Sequence, residues 1–133
     1  MLRSNPLTVD LGLLWLRVLA GAGMAYHGYG KVFSGSIPQF AEGVAKMGFP
    51  MPELFAWAAA LSELAGGILL AAGLATRLSA LSIFITMVVA AFVAHRADPF
   101  QVKELALAYL TVSGAILCTG PGRFSVDGYL LKK

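Results

Sequence analysis

The stretch from Leu54 to Thr76, LFAWAAALSELAGGILLAAGLAT, is apolar apart from a few small polar residues and one charge, Glu63. At a rise of ~1.5 Å per residue, a helix over this stretch is long enough to cross a hydrocarbon core ~30 Å thick. A carboxylate in the middle of a bilayer costs roughly 2.5–3.5 kcal/mol on insertion scales, so such a group normally has a partner or a function. The sequence therefore predicts a membrane-spanning helix whose Glu63 side chain faces other parts of the protein.

Small residues share the helical face on which Glu63 lies. At spacings of three and four residues, this face contains Ala56, Ala59, Ala60, Glu63, Gly66, Gly67, Leu70 and Gly73. Small residues allow two membrane helices to approach closely. We therefore expect this face to pack against another helix of the same chain.

Three further apolar stretches accompany this one. The predicted spans cover about residues 9–30, 53–76, 78–95 and 100–119, and the first is interrupted by Asp10 and Arg17, so we expect an uncleaved span rather than a signal peptide. The chain is 58% hydrophobic and 13% charged, whereas soluble domains carry about 25% charged residues. The sequence thus predicts an all-α integral membrane four-helix bundle that forms one domain over residues 1–133 and uses the lipid bilayer as its solvent.

The connections and the charges refine this prediction. Ile37, Phe40, Val44 and Met47 fall on one helical face, which predicts a short amphipathic helix between the first two spans, and Asp98-Pro99 is expected to cap the fourth span. Residues 123–133 read as a polar tail. The net charge of +3 is scattered, which argues against a nucleic-acid surface.

The distribution of basic residues predicts the orientation in the membrane. Four spans place both termini on the same side of the bilayer. That side carries Arg3, Arg77, Arg123, Lys132 and Lys133, and the opposite side carries Lys31, Lys46, Arg96 and Lys103. Under the positive-inside rule, this difference favours both termini in the cytoplasm.

The candidate functional residues meet at the outer face of the predicted bundle. His27 and Lys31 end the first span, His95 ends the third, Glu104 begins the fourth, and Glu63 lies deeper. Such groups could donate hydrogen bonds and protons to a quinone, bind a metal ion, or form a proton pathway, while two histidines could also simply lie in the headgroup region. No CxxC, HExxH or ExxH pattern is present, so we assign no metal ligands.

Arg17 is a charged residue in the interior of the first span. It lies roughly two turns inside the first span. Its long side chain could extend to the nearer interface. Alternatively, it could pair with a carboxylate inside the bundle, in which case Glu63 is the expected partner and the pair could relay protons.

An ordered set of short motifs covers essentially the whole chain. It comprises Arg17, His27-Gly28-Tyr29-Gly30-Lys31, Phe49-Pro50, Glu63-Leu64-Ala65-Gly66-Gly67, Gly73, Thr76-Arg77, His95, Glu104–Leu110 and Gly120-Pro121-Gly122-Arg123 through Asp127. This pattern resembles the DoxX family. The resemblance implies a small four-helix protein of the bacterial inner membrane. It also implies links to thiosulfate:quinone oxidoreductase, to complexes with superoxide dismutase and a sulfurtransferase, and to quinone resistance.

The candidate residues and the family resemblance together predict a membrane subunit of a redox system or of a system for sulfur metabolism or oxidative stress. This subunit is expected to bind a quinone, or a similar lipophilic redox compound, in the outer half of the bundle. The expected catalytic residues are Glu63 and His95, and the expected cofactor-binding residues are Arg17, His27, Lys31 and Glu104. The alternative is a non-catalytic membrane anchor or assembly partner for a soluble redox or sulfur-transfer enzyme. A small proton-coupled transporter is a further alternative, which would need a homo-oligomer to give four short helices room for alternating access.

Overall fold

The computed structural model describes residues 4–132, and all of its regular structure in that part of the chain is helical. The elements are α1 (Pro6–Phe33), α2 (Ile37–Lys46), α3 (Pro52–Ala72), α4 (Thr76–Val89) continued by a π-helical turn (Ala90–Ala94), α5 (Phe100–Thr119) and α6 (Val126–Leu130). Four helices, namely α1, α3, α4 with its π turn, and α5, are long and apolar enough to cross a membrane. The predicted all-α class with four candidate spans is therefore confirmed. Arg3 and Lys133, which entered the charge comparison, lie outside the described residues.

Local sequence signals explain where the helices begin and end. The Asn5 side chain accepts a hydrogen bond from the Leu7 backbone N–H at 3.0 Å, and Pro6 fits the first turn, so α1 begins earlier than the predicted residue 9. Gly73 ends α3 in the left-handed conformation, with φ of 73°. The amphipathic segment is confirmed as α2, whose apolar face packs on Ala56 and Ala60 of α3.

The antiparallel helices give the bundle two distinct ends. We call the end that holds the start of α1, the turn between α3 and α4, and α6 the terminal end. The end that holds α2 and the turn between α4 and α5 is the loop end.

The closest helix contact is between α1 and α3, and it depends on glycine. A Cβ atom added to Gly28 would lie 2.2 Å from the backbone nitrogen of Leu64. Added Cβ atoms on Gly21 and Gly67 would each lie 2.5 Å from backbone atoms of the facing helix. Only glycine allows the two backbones to approach this closely. The predicted small-residue face is confirmed as the packing surface, because its buried members include Ala56, Ala60, Glu63, Gly66, Gly67 and Leu70.

Arg17 stabilises the terminal end instead of pairing with Glu63. Its side chain is fully buried, and its Nη1 donates to the backbone oxygens of Leu70 at 3.3 Å and Ala71 at 3.2 Å. Its Nη2 donates to the Phe124 carbonyl. The last carbonyls of a helix lack intrahelical donors and carry the negative end of the helix dipole, which a cation complements. The predicted Arg17–Glu63 pair is therefore wrong: because α1 and α3 are antiparallel, Arg17 meets the C-terminal turn of α3, beyond Glu63.

Asp127 caps the neighbouring helix at the same end. Helix α4 begins after Ala75, which has a φ of 47° and offers no side-chain cap. The Asp127 carboxylate instead accepts hydrogen bonds from the backbone N–H of Ala75 at 2.9 Å, the backbone N–H of Thr76 at 2.8 Å and the Thr76 hydroxyl at 2.7 Å. The polar tail predicted for residues 123–133 thus contains a short helix, α6, that supplies a cap to α4 from elsewhere in the chain.

The turn between α4 and α5 also differs from the prediction. Pro99 occupies the N-cap position of α5 without any side-chain cap bond, so the expected cap by Asp98 is wrong. The Asp98 carboxylate oxygen Oδ2 lies 2.8 Å from Nδ1 of His95 instead. The π-helical turn that precedes His95 was not predicted, and such turns occur frequently at functional sites.

The glycine contact generates the first prediction. We expect Gly28→Ala to lower the free energy of unfolding by about 1–3 kcal/mol, because the new methyl group forces α1 away from the α3 backbone. Gly12→Ala on the same helix is the matched control, since a Cβ at Gly12 meets no atom within 4 Å. Unfolding by detergent titration measures both variants. Equal stability of the two variants would contradict the role assigned to this contact.

The Asp127 cap generates a pH-dependent prediction. Burial acts to raise the pKa of Asp127, but hydrogen bonds from Thr76 and Ala75 and the charge of Arg17 outweigh it, so the pKa is lowered in the folded protein. A lowered pKa stabilises the fold above the unfolded value of about 3.9, and this stabilisation is lost as the pH falls through the folded pKa. We expect Asp127→Asn to cost about 1–2 kcal/mol at pH 7.

Measuring the same difference in stability at lower pH tests whether the negative charge of Asp127 is responsible for it. The stability difference between wild type and Asp127→Asn should shrink as the pH falls below about 4, because the wild-type carboxylate then becomes protonated. Glu42→Gln is the control, since Glu42 is exposed on α2. A difference that stays constant from pH 7 to pH 3 would show that the charge of Asp127 is not what stabilises the end of the bundle.

Candidate functional site

A buried ion pair joins α1 and α3 in the half of the bundle toward the loop end. The Nζ atom of Lys31 lies 2.7 Å from Oε1 and 2.8 Å from Oε2 of Glu63. The Glu63 side chain is only 4% exposed, whereas the Lys31 side chain is 33% exposed. Both carboxylate oxygens of Glu63 therefore contact the Lys31 ammonium group, and part of the Lys31 side chain remains exposed. The ion pair offsets the free-energy cost of placing a carboxylate at membrane depth.

A cavity of about 500 Å³ lies on one side of the ion pair. It runs between α3 and α4, and its apolar wall includes Phe55, Ala59 and Ile85. Helix α2 and the residues after it cover it with Phe40, Val44, Met47 and Phe49. Lys31 Nζ also lies 4.8 Å from the centre of the Phe40 ring, so a cation–π contact connects this cover to the ion pair. We call this space the larger cavity.

A second cavity of about 190 Å³ lies on the other side of the ion pair, between α1, the end of α4 and α5. Its lining is richer in polar side chains and includes His27 and Tyr109. The two rings meet edge to face, with centroids 6.1 Å apart. We call this space the smaller cavity.

The two cavities share one wall. Lys31, Glu63, Ala90 and His95 line both of them. Ala90 begins the π-helical turn and His95 follows its last residue. The ion pair and the π turn therefore stand between a large apolar space and a small polar one.

The two histidines differ in their surroundings. His95 is half-exposed, and its Nδ1 contacts the Asp98 carboxylate, which favours the tautomer with a proton on Nδ1 and leaves Nε2 as an acceptor. The ring nitrogens of His27 have no hydrogen-bond partner among residues 4–132, and the side chain is exposed. Both rings thus keep a nitrogen free for a ligand or for water.

The structure brings together four of the six residues that sequence analysis singled out, namely His27, Lys31, Glu63 and His95. Arg17 lies at the terminal end, about 21 Å from Lys31 along α1 at ~1.5 Å per residue. Glu104 is exposed and lines neither cavity. The expectation that Arg17 and Glu104 belong to this site is therefore wrong, since one caps α3 and the other points away from the bundle.

Several residues of the site were missed by sequence reasoning. Tyr109 reaches over Gly23, where an added Cβ would lie 2.3 Å from its hydroxyl oxygen. Ser62 and Thr86 contribute hydroxyl groups to the larger cavity and contact each other at 3.2 Å. No sequence signal singled out Tyr109, Ser62 or Thr86, because aromatic and hydroxyl residues are common in membrane helices.

The shared wall offers three kinds of charged or titratable side-chain group. Within residues 4–132, no three His, Cys, Asp or Glu side chains are grouped so that they could hold a metal ion. The polar atoms at the shared wall are an ammonium group, a carboxylate and an imidazole. Such groups donate and accept hydrogen bonds and exchange protons with a bound molecule.

Comparisons with known proteins agree with this fold. The chain is 32% identical over 130 residues to the inner membrane protein YqjF of Escherichia coli (strain K12), with 93% of this chain and 95% of that protein covered. No solved structure matches the chain. The relative and the four candidate spans identify a multi-pass protein of the inner membrane. The sequence profile of the DoxX family matches residues 12–96. Because this match covers more than half of the chain, the protein belongs to the DoxX family.

Proposed function

We propose that this protein is a membrane subunit that binds a quinone, or a similar lipophilic redox compound, in the larger cavity beside the Lys31–Glu63 pair. The observation that carries the proposal is a large apolar cavity that ends on a buried ion pair and a histidine. An apolar ring and tail would occupy the cavity, and polar groups at one wall would orient the oxygen atoms. The family and the location in the inner membrane support a ligand that is soluble in lipid.

The size and lining of the larger cavity fit such a ligand. Its volume of about 500 Å³ lies within the roughly 300–1,000 Å³ typical of small-molecule sites. Phe40, Phe49 and Phe55 contribute aromatic rings, against which a flat ring system can stack. Its charged and imidazole groups all lie at the shared wall, and a small number of placed polar groups is the usual arrangement in sites that orient an apolar ligand.

The shared wall would provide the hydrogen bonds. Lys31 would donate to an oxygen of the ligand while Glu63 keeps its charge balanced, and the free Nε2 of His95 would accept a hydrogen bond or a proton. A bound quinone would supply two-electron redox chemistry that also takes up two protons. The residues of this chain would bind the ring, orient it and hold protons at Glu63 and His95, and the electrons would come from a soluble redox or sulfur-transfer protein.

Filling the cavity tests the location of the ligand. We expect Ala59→Phe to weaken binding of a short-chain quinone about tenfold or more, because the added ring takes the space that the ligand needs. Leu61→Phe is the matched control on the same helix, since Leu61 is exposed and lines neither cavity. Titration calorimetry in lipid nanodiscs measures both affinities. If both variants bind quinone as wild type does, the larger cavity is not the site.

Removing the polar groups of the shared wall tests their role. We expect the double variant Glu63→Gln, His95→Ala to weaken quinone binding by at least about tenfold, since hydrogen bonds to charged groups contribute roughly 1.5–3 kcal/mol each. A thermal unfolding measurement controls for loss of the fold, and Glu104→Gln serves as a charge-matched control away from both cavities. Unchanged quinone binding in the folded double variant would contradict the proposal.

The same preparations separate this proposal from a purely structural role. Extraction of wild-type protein, purified in mild detergent, followed by mass spectrometry should recover a quinone in stoichiometric amount. If no quinone is recovered and none binds on titration, while a soluble enzyme copurifies and keeps its activity with Glu63→Gln, the protein is an anchor or assembly partner.

A further inference from the structure

We infer that the smaller cavity is a water-filled route through which the Lys31–Glu63 pair exchanges protons with the solvent at the loop end. The inference rests on the proposed function only for the use of those protons, because a quinone in the larger cavity would need them. The route itself is a property of the chain and is tested below without any quinone.

The shape and lining of the smaller cavity support water as its occupant. A volume of about 190 Å³ has room for several water molecules at ~30 Å³ each. A buried water needs two to four polar partners, which a cavity lined only by apolar groups does not offer. Here the partners are the imidazole of His27, the hydroxyl of Tyr109 and the Lys31–Glu63 pair itself. Neither ring nitrogen of His27 has a partner within residues 4–132, so both are available to such waters.

Titratable groups face Glu63 from several of the surrounding helices. Lys31 and His27 lie on α1, His95 follows the π turn of α4, and Tyr109 lies on α5. Apolar side chains, among them Met24 and Leu105, complete the lining of the smaller cavity. A proton that enters at His95, whose Nδ1 contacts Asp98, would meet water and these titratable groups on the way to Glu63.

The larger cavity shares Lys31, Glu63 and His95 with the smaller one, but it lacks His27 and Tyr109, and the rest of its lining is mainly apolar. Its hydroxyl groups bond to one another or to the backbone of α4. In this arrangement the larger cavity would admit the lipophilic ligand, and the smaller cavity would admit protons. The ion pair and His95 belong to both walls, so they are placed to transfer a proton from one space to the other.

Cysteine labelling tests whether the smaller cavity contains water. In a Cys118→Ser background, we expect Ala106→Cys to react with a charged, membrane-impermeant methanethiosulfonate reagent, because Ala106 lines the smaller cavity. Ala108→Cys is the matched control: it is about 3 Å away along α5 at ~1.5 Å per residue, is exposed and lines neither cavity. In liposomes it should react only with an apolar maleimide.

The opposite labelling pattern would overturn the inference. If Ala106→Cys reacts with the apolar maleimide and not with the charged reagent, the cavity is filled by lipid. The labelling results do not depend on quinone binding. If the charged reagent labels Ala106→Cys but the protein binds no quinone, the water route stands and the proposed function is contradicted. If only the apolar maleimide labels Ala106→Cys and the protein binds quinone, the proposed function stands and the water route is contradicted.

Infrared spectroscopy tests whether the route carries protons. The infrared bands of the Lys31–Glu63 pair, identified by their absence in Glu63→Gln, should shift after a rapid change from H₂O to D₂O, because the ammonium protons of Lys31 exchange with those of the solvent. We expect Ala106→Phe to slow this shift about tenfold or more, because the added ring displaces the water. Ala108→Phe should leave the rate unchanged. Equal rates in the two phenylalanine variants would show that protons reach the Lys31–Glu63 pair by another path.

Discussion

The close approach of α1 to α3 is the constraint on which the rest of the structure depends. Gly21, Gly28 and Gly67 bring the two backbones to a distance that no other residue permits. With the helices in this register, Lys31 meets Glu63 and Arg17 meets the last turn of α3. The register of α1 against α3 thus fixes the partners of Arg17, Lys31 and Glu63. The glycine contact is therefore a condition for the polar site as well as for the fold.

The charges at the terminal end and the Lys31–Glu63 pair have different roles in the structure. Arg17 satisfies carbonyl oxygens at the end of α3, and Asp127 satisfies N–H groups at the start of α4, so the turn between these helices is held from both sides by charges that complement the helix dipoles. Neither lies near a cavity described here. The Lys31–Glu63 pair caps no helix and separates two cavities. The charges at the terminal end therefore complete helix ends, whereas the ion pair and the two cavities lie toward the loop end.

Sequence reasoning reached the fold more completely than the site. Length, hydropathy and proline and glycine positions predicted four spans and α2, because these signals are local. His27, Lys31, Glu63 and His95 were grouped correctly, since the topology alone brings the ends of their helices together. The partner of Glu63 was wrong because pairing depends on helix register, which is set by contacts at Gly28 and Gly67 that the pattern does not resolve. The π turn and the caps from Asp127 were missed because they depend on tertiary structure.

The energetics of the ion pair favour a functional explanation for its presence. Replacing a buried ion pair by apolar residues of similar volume is often neutral or stabilising, because desolvation offsets much of the attraction between the charges. The small residues that close the α1–α3 contact would pack equally well around an uncharged pair. A fold that needed only stability would have no reason to keep Glu63 almost fully buried, and still less to leave open cavities on both sides of it. Unfilled space costs packing energy, and a buried charge costs the solvation energy that it had in water. Both costs fall at one place, beside a histidine that contacts Asp98, and this coincidence supports the site that we propose.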